Sequence, residues 1–231
     1  MLQSISKKRI YFYLLILLLL SSTFNFNIIS QFKNLNLIRN IEITGLSKKE
    51  KKVLEQKLQI FLNKNIFLIR KDEIIKIINN ITFFENYNVE KVFPSKLLFK
   101  IKKTEFIGKT ILEGEKFYIG KNGKFTKMFL VDKVYNLPQV FGNFQADEFL
   151  KLQNTLSLHN FNLNNIKKYY FYKNNRWDIV DNDNITLMLP SNNLEKSLKN
   201  YKLFLEKIKV EPGQSVDLRI TNKIILTNEK K

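Results

Sequence analysis

Residues 38–62, IRNIEITGLSKKEKKVLEQKLQIFL, change their hydrophobic period once, and that change decides the fold of the first half of the chain. Ile41 and Ile43 alternate with polar neighbours, as side chains on a half-buried strand do, and the run stops at Gly45. Ser47 and Glu50 then make an S-x-x-E capping box, after which Val53, Leu54, Leu58, Phe61 and Leu62 fall on one helical face. The stretch predicts a strand, a turn and a helix.

Downstream, Asp72 is placed to cap a second helix whose Ile74, Ile75, Ile77, Ile78 and Ile81 recur at helical spacing. From Tyr87 the period returns to two. Tyr87, Val89 and Phe93 alternate with polar positions, Pro94-Ser95 turns the chain, and Leu97, Phe99 and Ile101 alternate with lysines. Strand, helix, helix, strand, strand in residues 37–104 predicts two helices covering one face of a three-stranded sheet. That order resembles the POTRA fold.

Upstream, Lys7-Lys8-Arg9 precedes an uncharged run from Ile10 to Ile29. Twenty residues of helix reach about 30 Å, the thickness of a bilayer core. The positive flank predicts a cytoplasmic tail at residues 1–9, a transmembrane helix at 10–29, a connector at 30–36 and everything later on the far side. A cleaved signal peptide competes, because Leu14 to Leu20 is short enough for an h-region, but SSTFNFN offers no convincing small-x-small cleavage site. Both readings export the bulk of the protein, and the missing cleavage site favours the anchor.

Residues 105–228 read as a second, strand-rich α+β domain with antiparallel strands, followed by a tail at 229–231. KFYIGKNGKF places Asn122-Gly123 between two apolar arms, a hairpin signal, and LPQVFGNF reads as a connector. Ala146 to His159 carries helical spacing. Lys168–Tyr172, Trp177–Val180 and Ile185–Leu189 read as strands, and Leu194, Leu198, Tyr201, Leu205 and Ile208 as a helix ended by Pro212-Gly213. The chain closes with a hairpin from Ser215 to Thr227, turning at Thr221-Asn222.

Composition narrows the function. The 231 residues contain no cysteine, so thiolate metal sites, disulfides and cysteine nucleophiles are excluded. A formal net charge of +18 suggests nucleic acid, an anionic polymer or a membrane surface as partner. The lysines are spread over every segment and arginine is scarce, the pattern of an AT-rich coding sequence, so no nucleic-acid role is expected. His159 is the only histidine and has no acid-base partner in sequence; Asp181 and Asp183 lack the regularly spaced oxygen ligands of a calcium loop. Trp177 suits either an interface anchor or a core position, and the YYFY run at 169–172 either stacks bases or fills a buried strand. The residues predict no enzyme, no catalytic site, no cofactor and no metal.

The ordered stretches IRNIEITGL, VEKVFPSKLLFKIK, IGKNGKF, LPQVFG, RWDIVDNDNITLMLP and VDLRITNKIIL resemble the bacterial cell-division family FtsQ, also called DivIB, over nearly the whole chain. The resemblance implies a non-enzymatic scaffold of the division machinery in the inner membrane, single-pass, with the N-terminus cytoplasmic and the bulk periplasmic. It implies the bitopic division proteins FtsB and FtsL as partners. The residues add a place for them: if Lys223, Ile224, Ile225, Leu226 and Thr227 form the last strand of the sheet, one edge has no later segment to cover it. Such an edge either accepts a strand from a partner or is guarded by Lys223. The alternative function is an exported, membrane-anchored binder of an anionic polymer.

Overall fold

The computed structural model describes residues 7–22, 36–220 and 222–228. Its first element is an apolar helix, α1 (Lys7–Ser22), of 16 residues, with the side chains of residues 7–21 exposed. Among the described residues no helix is long and apolar enough to cross a membrane. The expected span 10–29 therefore corresponds to described helix only as far as Ser22, and its remainder lies outside the described residues, as do residues 1–6, 30–35 and 229–231.

From Asn36 the chain builds a three-stranded sheet with two helices. Strand β1 (Asn40–Thr44) leads through Gly45 into α2 (Lys48–Leu58), a short 3-10 turn follows, then α3 (Lys71–Ile78), β2 (Phe84–Val92) and β3 (Lys96–Lys103). The sheet order is β1-β3-β2, with β1 parallel and β2 antiparallel to β3. Gly45 sits at φ +87°, where a Cβ would come within 1.9 Å of the Ile101 carbonyl oxygen, so the turn admits glycine alone. At the entry to α2 the Ser47 N–H and hydroxyl both donate to the Glu50 carboxylate, at 3.1 and 2.7 Å. The helix face is sorted by burial: Leu54, Leu58 and Phe61 are fully buried, whereas Leu62 is exposed beyond the turn. They share one cluster with Ile74 and Ile78 of α3 and with Leu97, Phe99 and Ile101 of β3. Each such side chain contributes about 1.5–3 kcal/mol by leaving water. Helix α3 begins at Lys71, so Asp72 stands in its first turn rather than at its cap, where the carboxylate still faces the positive end of the helix dipole.

A nine-stranded sheet follows, in the order β12-β11-β10-β9-β8-β7-β4-β5-β6. Its strands are β4 (Phe106–Leu112), β5 (Glu115–Gly120), β6 (Phe125–Lys127), β7 (Gln139–Phe141), β8 (Ile166–Tyr172), β9 (Arg176–Asp181), β10 (Thr186–Met188), β11 (Gln214–Asp217) and β12 (Ile225–Asn228). Two helices cross between parallel neighbours: α4 (Ala146–Leu158) joins β7 to β8, and α5 (Leu194–Leu205) joins β10 to β11. The domain expected to be antiparallel is a mixed sheet, because β4–β7, β7–β8 and β10–β11 are parallel while its other pairs are antiparallel. The expected connector LPQVFGNF likewise contains β7, three residues inserted between β4 and β8. Phe149, Leu152 and Leu156 of α4 and Leu198 and Tyr201 of α5 pack with Val140, Tyr169, Ile179, Leu187 and Val216 of the strands as the second core.

The two sheets are tied together. Phe106, Tyr118 and Val131, from the nine-stranded part, belong to the first core, so packing crosses the expected boundary at residue 104. The Asn122 side-chain amide donates to the carbonyls of Thr82 and Phe84, both at 2.7 Å. The Asp132 carboxylate accepts the Lys49 N–H at 3.0 Å, at the N-terminus of α2.

Candidate interaction edge

The last two strands are set up by α5, which carries the chain back across the sheet to β11. At the turn before β11 the Gly213 N–H donates to the Asp183 carbonyl and the Glu211 N–H to the Gln214 side-chain oxygen. β11 lies parallel to β10 with Leu187 opposite Val216, and β12 returns antiparallel with Val216 opposite Leu226 and Asp217 opposite Ile225. The Gln214 amide donates to the Asn228 side chain at 2.7 Å across the far end of the pair.

Backbone direction along β12 follows from one bond. The Leu218 N–H donates to the Met188 carbonyl of β10 at 3.0 Å. Because N–H and C=O groups alternate sides along a strand, those of Asp217 and Ser215 point the other way, toward β12. Their partners Ile225 and Thr227 therefore turn their backbone groups inward, and Leu226 and Asn228 turn theirs out from the sheet. Side chains alternate as well. Leu226 shares the helix-covered face with buried Val216 and is 37% exposed, extending the apolar layer past the last strand. Ile225 lies on the opposite face beside Asp217, half-buried.

That opposite face is polar and strongly coupled. Arg219 grips Asp217 through Nε at 2.8 Å and Nη2 at 2.5 Å, and this pairing holds the Asp217 carboxyl below the usual carboxylate range. Deeper in the sheet, burial pushes the Asp178 carboxyl up, against the opposing pull of Arg176 at 3.3 Å. The Arg176 guanidinium also lies 4.2 Å from the Tyr172 ring centroid.

Four strands end the two sheets, and their composition differs. β1 carries Glu42, β2 carries Glu85, Glu90 and Lys91, and β6 carries Lys127, whereas β12, Ile225-Leu226-Thr227-Asn228, carries no charged residue. Charges on an edge strand are a guard against pairing with another chain, and β12 has none. The β2 edge is longer and borders a groove of about 430 Å³ against α3, lined by Ile69, Ile74, Ile75, Tyr87 and Val89.

Of the residues expected to form the edge, Ile225, Leu226 and Thr227 lie in β12. Lys223 and Ile224 precede it: the Lys223 N–H closes a turn onto the Ile220 carbonyl, and Ile224 packs on the second core. The turn expected at Thr221-Asn222 includes Thr221, which lies outside the described residues, and β12 begins at Ile225, two residues later than expected. Asn228 joins the edge instead, placed there by its pairing with Gln214 of β11, and no sequence pattern marks it. Trp177 is a core residue, buried among Phe144, Phe149 and Phe171. Tyr169 of the YYFY run is buried with its hydroxyl accepting from Gln153 at 2.7 Å, and burial drives its ionisation far above the usual tyrosine range. His159 ends α4, its N–H donating to the Thr155 carbonyl, and Asp181 accepts the Ile185 N–H at 2.8 Å within a turn. Among the described residues no group of three or more His, Cys, Asp or Glu could hold a metal ion.

The fold and its edge define a class: an α+β module on a mixed nine-stranded sheet that ends in an uncharged C-terminal strand. Residues 111–219 match the family described as cell division protein FtsQ/DivIB, C-terminal. The match lies within the strand-rich part of the chain, and the family is the one the sequence resembles. The matched region stops at Arg219, ahead of β12. Among solved structures, the chain is similar to the major extracytoplasmic domain of the trans isomer of the cell division protein DivIB from Geobacillus stearothermophilus, at 14% identity, covering 47% of this chain and 99% of that one, with a TM-score of 0.31. At that score the likeness adds nothing to the fold described above. No curated protein matches the chain.

Proposed function

We propose that the chain is a non-enzymatic scaffold of the bacterial division machinery, held in the inner membrane by its N-terminal apolar segment, with the two sheets outside the cytoplasm. The match of residues 111–219 to the FtsQ/DivIB C-terminal family supports the division role. The strand order β1-β3-β2 with α2 and α3 supports a POTRA-type first unit, a surface for recruitment. The observation that carries the interaction reading is the edge: β12 is an end strand without a charge, and it presents the backbone groups of Leu226 and Asn228 outward. A partner strand laid on that edge gains main-chain hydrogen bonds, while Leu226 and Thr227 choose among side chains. By family resemblance the partner is a bitopic division protein, FtsB or FtsL.

The test is a titration of the full chain with the extracytoplasmic segment of FtsB at low and high salt. Strand pairing predicts an affinity that changes little with salt. A steep loss of affinity with salt, together with binding to an anionic polymer, would assign the lysine-rich surface as the site instead.

A further inference from the structure

The three-stranded unit exposes an apolar cluster at the end where the chain enters it. The rings of Phe67 and Phe93 stack with centroids 4.8 Å apart and remain 61% and 54% exposed, and Leu68 beside them is 76% exposed. Two stacked rings this open to water are costly unless something covers them. Leu37 forms an antiparallel bridge with Asn65, the Ile66 N–H donates to the Asn36 carbonyl, and the Arg39 N–H donates to the Ser95 carbonyl. The entry point of the chain therefore lies between the segments that bear Phe67 and Phe93.

Two observations say what the cover is. Residues 23–35 alone separate α1 from Asn36, and thirteen residues span at most about 50 Å whatever their conformation. An end of the unit tethered this closely to an apolar helix stands near whatever surface that helix enters. The charge agrees. Segments 36–40, 59–70 and 92–96, which build this end, contain Arg39, Lys64, Arg70 and Lys96 and no aspartate or glutamate. Lys64 and Arg70 share Glu73 of α3, at 3.8 and 3.5 Å, Lys96 pairs with Glu42 of β1, and the Arg70 side chain is 76% exposed, so this end keeps an excess of positive charge. Aromatic and aliphatic tips ringed by basic side chains match the interface of a bilayer with anionic headgroups.

We propose that Phe67, Leu68 and Phe93 dock the first unit on the anionic lipid surface of the membrane that holds α1, fixing the tilt of the exported region and the height of the β12 edge above the bilayer. The proposal rests on the anchor reading. Because the chain has no cysteine, Leu68→Cys and Leu158→Cys each give a unique site for a nitroxide label; Leu158, at the end of α4, is 79% exposed and serves as the reference.

The experiment uses the full chain in lipid nanodiscs holding one copy each, with relaxation by oxygen and by a water-soluble nickel chelate as the readout. In discs containing phosphatidylglycerol the label at 68 should gain several-fold in oxygen preference over detergent, the label at 158 should not change, and discs of phosphatidylcholine alone should weaken the effect. Equal water exposure at both positions overturns the proposal. Shielding at 68 that appears only when several copies share one bilayer assigns the cluster to a second copy, and overturns it too. A chain that fails to enter discs defeats the anchor reading separately; the cluster must then float the chain on anionic vesicles, and lose it in the Phe67→Ser/Phe93→Ser variant, for the docking surface to survive.

Discussion

Leu58 and Tyr169 show how differently two fully buried side chains are written in a sequence. Leu58 belongs to a helical stripe that starts at a capping box, so its burial follows from spacing alone, and both it and Leu54 are fully buried. Leu58→Ala should cost about 2–5 kcal/mol in a denaturant titration, and a change within about 0.5 kcal/mol would show that this face of α2 is not core. Tyr169 sits in YYFY, where four aromatic residues look alike; which one turns inward depends on β7 and β9 pairing on either side of it. Its hydroxyl meets Gln153 inside the second core. Tyr169→Phe leaves that amide without its acceptor, and should cost about 1–3 kcal/mol with the fold retained by circular dichroism. Asn122 was legible only in part. The Asn-Gly pair marks the turn, and Gly123 adopts φ +69°, but the reach of Asn122 to Thr82 and Phe84 depends on how two sheets meet.

Elements were legible where one periodicity lasted long enough to be counted. The β1–α2–α3–β2–β3 order, α4, α5 and strands β8 to β10 all carry five or more patterned residues or a clear turn signal. β7 does not. Three residues beside Pro138 and Gly142 look like a connector, and they become a strand because β4 and β8 both offer them backbone partners. In the terminal hairpin Leu218, 2% exposed, and Ile224 are held by the second core, and β12 starts only at Ile225. The backbone directions then predict a contrast between neighbours. Ile225→Pro removes an inward donor and should release the hairpin, seen as lost thermal stability. Leu226→Pro removes an outward donor and should leave stability close to that of the parent while abolishing capture of the division partner. A folded Leu226→Pro protein that binds with unchanged affinity would exclude this edge.

At the scale of the molecule, the two sheets behave as coupled units because the ties between them are specific. Glu50, fully buried, pairs with Lys103 within the first unit, the Lys103 ammonium lies over the Phe106 and Tyr135 rings of the second, and Asp132, in the loop between β6 and β7, accepts the Lys49 N–H at the start of α2. Accepting the Lys49 N–H holds the Asp132 carboxyl below its ordinary value. A carboxyl depressed in the folded state contributes stability above its unfolded pKa, about 3.9, and loses it as pH falls through the lower folded value. Asp132→Asn should therefore be less stable than the parent at neutral pH, with the difference shrinking below pH of about 4 in paired denaturation curves; a constant difference would assign no role to the charge. The ties through Asn122 and Asp132 carry no sequence signal, since they join residues 38 to 83 positions apart. Amide hydrogen exchange reads the outer edge of the molecule residue by residue. In the chain alone, the Ile225 and Thr227 amides should be protected by β11 while those of Leu226 and Asn228 exchange freely; with the division partner bound, Leu226 and Asn228 should become protected. Binding that leaves those two amides exchanging as before would contradict strand addition at β12.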